Sequence, residues 1–72
     1  MKKVKKIKIR ANGKTKSIPD NYKMSDLIKI LNIPLKKVAI ELNQEIIDKK
    51  TIKKINLKNN DKIEIVHFIG GG

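Results

Sequence analysis

The sequence predicts an α+β fold, a mixed sheet of four to five strands with one main helix packed on one face. Three observations predict it: short runs in which apolar residues recur at every second position, one run with helical spacing, and turn residues between them. At 72 residues the chain has room for one domain, since a chain this short buries only about 60% of the surface its unfolded form exposes. It has no cysteine, so packing must hold the fold rather than disulfides or a thiolate zinc site, and no thiol can act as a nucleophile.

In KKIKIRA, Ile7, Ile9 and Ala11 alternate with Lys6, Lys8 and Arg10, the pattern of a strand with one buried and one wet face. Asn12 and Gly13 follow, and both tolerate the positive φ of a type I′ hairpin turn. KTKSIP is the return strand, and its closing Pro19 suits a sheet edge. MSDLIKILNIP is the helix: Ser25 is expected to cap it and Asp26 to face its positive end, while Leu27, Ile30 and Leu31 form the apolar stripe and Pro34 bars continuation.

KVAIEL returns to alternation, with Val38, Ile40 and Leu42 inward and Ala39 and Glu41 outward. Asn43 and Gln44 turn the chain into the short apolar piece Ile46–Ile47. From Asp48 to Lys58 the pattern weakens into a lysine-rich connection with room for a single helical turn, and Ile52, Ile55 and Leu57 tuck beneath it. NNDK is a further turn, with Asp61 supplying its chemistry, and KIEIVHFI is the last strand. The domain is placed at residues 1–68, followed by a flexible glycine tail at 69–72.

One helix covers one face of a sheet, so the other face meets water or a partner. In the last strand Ile63 and Ile65 share the inward parity, which leaves Glu64, Val66 and Phe68 on the uncovered face. Val66 and Phe68 are apolar where water is expected, stand immediately before the glycines and include the only phenylalanine, which marks them as contact residues. His67 falls on the inward parity and is expected to lie half-buried at the rim of the core. With one histidine and no cysteine, no metal site is expected.

Eighteen Lys and Arg against seven Asp and Glu give a formal net charge of +11, which makes polyanions the first partner to weigh against a merely solvated lysine-rich surface. Tyr22 and Phe68 are the only aromatic rings and make a poor platform for stacked bases, so nucleic acid is not the expected partner. The basic start MKKVKKIKIR is broken by lysine before any apolar stretch develops, and no run reaches the length of a membrane span. A cytoplasmic location is expected, with no membrane partner.

The three final glycines, Gly70, Gly71 and Gly72, lack Cβ atoms and can thread a slot that excludes other residues, reaching about 10 Å when extended. Such an arm suits delivery of its own end group. The carboxylate of Gly72 is ionised at neutral pH and a poor electrophile, so it must be activated; adenylation by ATP would supply a leaving group and allow a thiol, persulfide or amine to attack. No glycine-rich phosphate loop or cysteine equips this chain to do that. The chain is therefore expected to be no enzyme itself but the substrate of one.

VAIELNQEII followed by NNDKIEIVHFIGGG resembles the small ubiquitin-like β-grasp sulfur carriers of the ThiS/MoaD family: a strand, an Asn-containing turn, a short apolar strand, an Asp-containing turn, and a final strand running into a diglycine end. The likeness spans essentially the whole chain and is nearest to the thiamine-pathway carriers. It implies a β-grasp with the first and last strands parallel and adjacent. It further implies that a ThiF/MoeB-like adenylyltransferase, using ATP bound by itself, activates Gly72, that a sulfur donor protein supplies sulfur to make a C-terminal thiocarboxylate, and that a ThiG-like thiazole synthase accepts it. Gly71 and Gly72 match the family's tail, and Val66 and Phe68 match its docking contacts.

Sister readings share the tail chemistry: a MoaD-like carrier, a tRNA-thiolation carrier or a ubiquitin-like protein modifier. A reading from another class is a TGS-like RNA-binding β-grasp module. The chain departs from the carrier pattern twice, in having DKKTIKK where the family often has a Pro-Arg pair, and in its strong positive charge. If the first and last strands are neighbours, Lys6, Lys8 and Arg10 are expected to flank Glu64, Val66 and Phe68, and the partner to offer an apolar hollow with an acidic rim.

Overall fold

A computed structural model describes residues 5–68. In chain order its elements are β1 (Lys6–Ala11), β2 (Lys14–Pro19), α1 (Met24–Ile30), a 3₁₀ turn at Leu35–Lys37, β3 (Val38–Leu42), β4 (Glu45–Ile46), a second 3₁₀ turn at Lys49–Thr51, and β5 (Lys62–His67). The strands form one sheet in the order β2-β1-β5-β3-β4, with β1 and β5 parallel and the other neighbouring pairs antiparallel. The mixed five-stranded sheet and its single α-helix are those expected. The parallel pair arises because α1 and β3 lie between β1 and β5 in sequence, which returns the chain to the sheet's centre running the same way.

The turns follow their residues. Asn12 and Gly13 take φ values of 50° and 81°, which gives the tight reversal between β1 and β2. Asn43 and Gln44, at 51° and 74°, do the same between β3 and β4. Asp61 is buried and accepts from the Lys58 N–H at 2.7 Å and from Asn43 Nδ2 at 3.0 Å, so its turn role extends to tying two turns together. Pro19 ends β2 at the sheet edge, where its missing N–H costs no ladder bond.

The helix differs in two respects from the expectation. Its N-cap is Lys23 rather than Ser25, and the capping bond comes from the third helical residue, Asp26, whose carboxylate accepts from the Lys23 N–H at 2.8 Å. Ser25 lies within the first turn, its N–H donating to the Ile52 carbonyl at 3.1 Å. The buried stripe is Met24, Leu27 and Ile28 with Leu31 partly covered, while Ile30 is 54% exposed. Both sets have helical spacing, and three aliphatic residues at 27, 28 and 30 leave the phase open. The bond from Met24 N–H to the Ile55 carbonyl sets it, by seating the start of the helix against the 49–57 connection.

At its C-terminus α1 closes with Asn32 at φ 55° and with bonds from the Asn32 and Ile33 N–H groups to the carbonyls of Lys29 and Ile28. This is the left-handed stop that asparagine shares with glycine. The core then comprises Ile9 and Ile18 from the hairpin, Met24, Leu27 and Ile28 from α1, Val38 and Ile40 from β3, Ile63 and Ile65 from β5, and Ile52 and Leu57 from the connection. Ile55 packs against it partly buried.

β5 is the central strand, yet its ladder with β1 is short: Arg10 pairs with Lys62 and Ala11 with Ile63. Beyond that point β1 turns away, and the side chain of Asn12 takes over. Its Oδ1 accepts from the Ile65 N–H at 2.7 Å, and its Nδ2 donates to the Ile65 carbonyl at 3.4 Å. His67 follows with no strand on that side, which is why it is exposed rather than half-buried despite its inward parity. Replacing Asn12 with glycine keeps the positive φ but deletes both bonds; at about 0.5–1.5 kcal/mol for each, the expected loss is about 1–3 kcal/mol in denaturant unfolding, with faster hydrogen exchange at the Ile65 amide.

Candidate functional site

Because α1 covers one face of the sheet, the opposite face is built wholly from the outward parity of its strands. On β5 these residues are Lys62, Glu64 and Val66, with Phe68 just past the strand's end. Register places Ala39 beside Val66 and Glu41 beside Glu64 on β3, and Ile46 beside Glu41 on β4. Val66, Phe68 and Ile46 are 49%, 54% and 75% exposed. Val66 and Phe68 with the half-buried Ala39 make an apolar patch at the end of β5, from which the chain continues into residues 69–72, and Ile46 stands two strands away beside Glu41.

The patch has its own charges. Glu41 and Glu64 oppose each other across β3 and β5, a pairing that like charges disfavour, and Lys62 answers Glu64 at 3.8 Å, the one ion pair among the described residues. Phe68 is tied at its backbone by its N–H, which donates to the Lys37 carbonyl at 2.9 Å. The ammonium of Lys49 lies 5.5 Å from the centre of its ring.

Lys6, Lys8 and Arg10 share this open face but do not flank the patch. Parallel register brings only Arg10 level with β5, beside Lys62. Lys6 lies four residues before Arg10, and Val66 four beyond Lys62, so at about 3.3 Å per residue the two are about 26 Å apart along the strands. Lys8 instead sits against the 59–60 turn, its N–H donating to Asn59 Oδ1 at 2.9 Å and its carbonyl accepting from the Asn60 N–H at 2.7 Å. The face is thus split, with a basic half on β1 and an apolar half with two acids on β5, β3 and β4. The expected adjacency failed because two strands that overlap at only two positions place most of their residues on opposite sides of the overlap.

Gly70, Gly71 and Gly72, the expected arm and its reactive end, lie outside the described residues, as does the whole of the proposed 69–72 tail. Ile46, Glu41 and Lys49 are site residues that the sequence reading did not single out. Ile46 could have been found by carrying the outward parity of Glu41 across the Asn43–Gln44 turn.

A five-stranded mixed sheet with a parallel central pair, one crossing helix and an open face beside its C-terminal strand end defines a ubiquitin-like β-grasp protein. Within that class the family is specific: the sequence profile of the ThiS family matches residues 6–72, and the chain belongs to that family. It is 40% identical over 65 residues to the sulfur carrier protein ThiS of Bacillus subtilis, covering 89% of this chain and 98% of that one. The crystal structure of the thiamine biosynthesis protein ThiS from Geobacter metallireducens matches with a TM-score of 0.81 at 25% identity, over 92% of this chain and 100% of that one.

The chain is also 35% identical over 66 residues, 92% of its length, to the thiazole synthase of Paramagnetospirillum magneticum. It spans about a fifth of the length of that relative, 20%. Among the described residues no helix is long and apolar enough to cross a membrane.

Because Ile46 is three-quarters exposed, its removal leaves the core intact. Ile46→Ser is expected to change unfolding free energy by no more than about 0.5 kcal/mol in a denaturant melt, which marks the residue as surface rather than packing.

Proposed function

We propose that this chain is a sulfur carrier of thiamine biosynthesis, and that its chemistry takes place at the carboxylate of Gly72. The observation that carries the reading is the ThiS family match, which continues through the glycines that follow the apolar patch. An ATP-dependent adenylating enzyme of the ThiF/MoeB class docks the open face and joins AMP to the Gly72 carboxylate with release of pyrophosphate. A persulfide sulfur from a donor protein then attacks the activated carbonyl, AMP leaves, and reductive cleavage of the sulfur–sulfur bond by a thiol gives the thiocarboxylate. The carrier is the co-substrate in these steps and catalyses none of them; ATP is bound by the partner.

The sulfur goes to a thiazole synthase. Support for that acceptor is the similarity of this chain to a segment of proteins that bear that name. The cytoplasm, where ATP and reduced thiols are available, is the place for such chemistry.

Docking divides along the face. Val66, Ile46 and Phe68 enter an apolar hollow near the slot that receives Gly70, Gly71 and Gly72, and full burial of an aliphatic or aromatic side chain contributes about 1.5–3 kcal/mol. Lys6, Lys8 and Arg10 meet acidic groups farther along the partner, where they steer encounter more than they tighten it. Glu64 lies in the apolar half, beside Glu41.

The test incubates the full chain with ATP, a ThiF-like enzyme and a persulfide donor, then weighs it intact. A mass gain equal to the replacement of one oxygen by sulfur at the C-terminus is expected, and one alanine added after Gly72 is expected to abolish it. A covalent ladder on other proteins would instead identify a modifier. In the same assay Val66→Asp is expected to raise the carrier KM by about tenfold or more, while Lys6→Ala with Lys8→Ala lowers kcat/KM only at low salt.

A further inference from the structure

Lys49 opens the 3₁₀ turn that follows β4, and its side chain reaches back across three segments of the fold. Its ammonium donates to the carbonyls of Leu35 and Val38, each at 2.9 Å, and stands 5.5 Å from the centre of the Phe68 ring. An ammonium carries three donors, so two anchored bonds fix where the charge sits. The turn itself is held by Asp48, whose carboxylate accepts from the Lys50 N–H at 2.9 Å, so the cation does not ride on a loose loop.

Phe68 is the other half of the arrangement. Its backbone is held by Lys37, yet the residue remains 54% exposed. A ring kept for stability alone gains most by sinking into the core. This one is gripped while half its surface stays in water.

We propose that Lys49 is a positioning residue for docking, holding the Phe68 ring in the pose that enters the partner's apolar hollow. The inference rests on the reading of the open face as the surface that meets the adenylating enzyme. An aromatic side chain that is ordered before binding does not lose that rotamer freedom on binding, and the face of a ring toward a partly desolvated cation is an attractive, direction-setting contact. An arginine in place of Lys49 would preserve both the charge and the stacking on the ring.

The experiment uses the full chain and its Lys49→Met, Lys49→Arg and Phe68→Ala variants, with ATP–pyrophosphate exchange by a ThiF-like enzyme as one readout and the proton NMR spectrum of the free carrier as the other. Lys49→Met is expected to raise the carrier KM about 2- to 5-fold with kcat unchanged, and Lys49→Arg to restore it, the size expected of one cation–ring contact. In the spectrum, Lys49→Met is expected to move the Phe68 ring signals to those of a freely rotating phenylalanine, and Lys49→Arg to leave them ordered.

If Phe68→Ala raises KM and Lys49→Met does not, the positioning role is overturned while the docking surface stands. If Phe68→Ala also leaves KM unchanged, it is the docking reading that fails. Phe68 ring signals unaffected by Lys49→Met overturn the inference whatever the enzyme does.

Discussion

The hydrogen bonding of β5 is the constraint on which the rest of this small protein depends. It is the middle strand of five, yet on the β1 side it has backbone partners for only two residues before the hairpin turns away. The side chain of Asn12 extends that ladder by one step, and Asn43 does similar work at the strand's start, its Oδ1 accepting from the Lys62 N–H at 2.9 Å while its Nδ2 holds Asp61. Two asparagines in turns therefore seat the central strand of the sheet. The side chain of each serves the centre of the sheet while its own backbone makes a reversal.

The open face follows from economy of chain. One seven-residue helix, about 10 Å long, packs on one side of the sheet, so the outward parity of every strand stays in water. The split of that face into basic and apolar halves is a matter of register: β1 and β5 meet at their ends, so their outward side chains are spread along the sheet rather than mixed. A partner can accordingly read charge and shape at separate places.

Much of this is legible in the sequence because it is local. Alternation in KKIKIRA, VAIEL and KIEIV gives the strand faces, and Asn-Gly gives the hairpin, since each is decided within a few residues. What escapes is relational. The helix phase depends on which of Ile28 and Ile30 faces the connection, and the position of Lys6 and Lys8 depends on a register between strands separated by some fifty residues of chain. The grip of Lys49 on Phe68 joins a loop to a strand end through carbonyls that no pattern of side chains announces. His67 shows the same limit, because parity gives its face correctly but cannot tell that the neighbouring strand has already ended.

Asn12 is followed by Gly13, whose backbone nitrogen is the least hindered one available to close a five-membered imide on an asparagine side chain with loss of ammonia. The hydrogen bonds to Ile65 engage both the oxygen and the nitrogen of that amide, so closing the ring has to break the contacts that complete the sheet. Where the imide opens to aspartate, the new carboxylate can still accept from the Ile65 N–H but has nothing to give its carbonyl. Chemical ageing of this molecule would thus begin at a surface turn and be felt in its central strand.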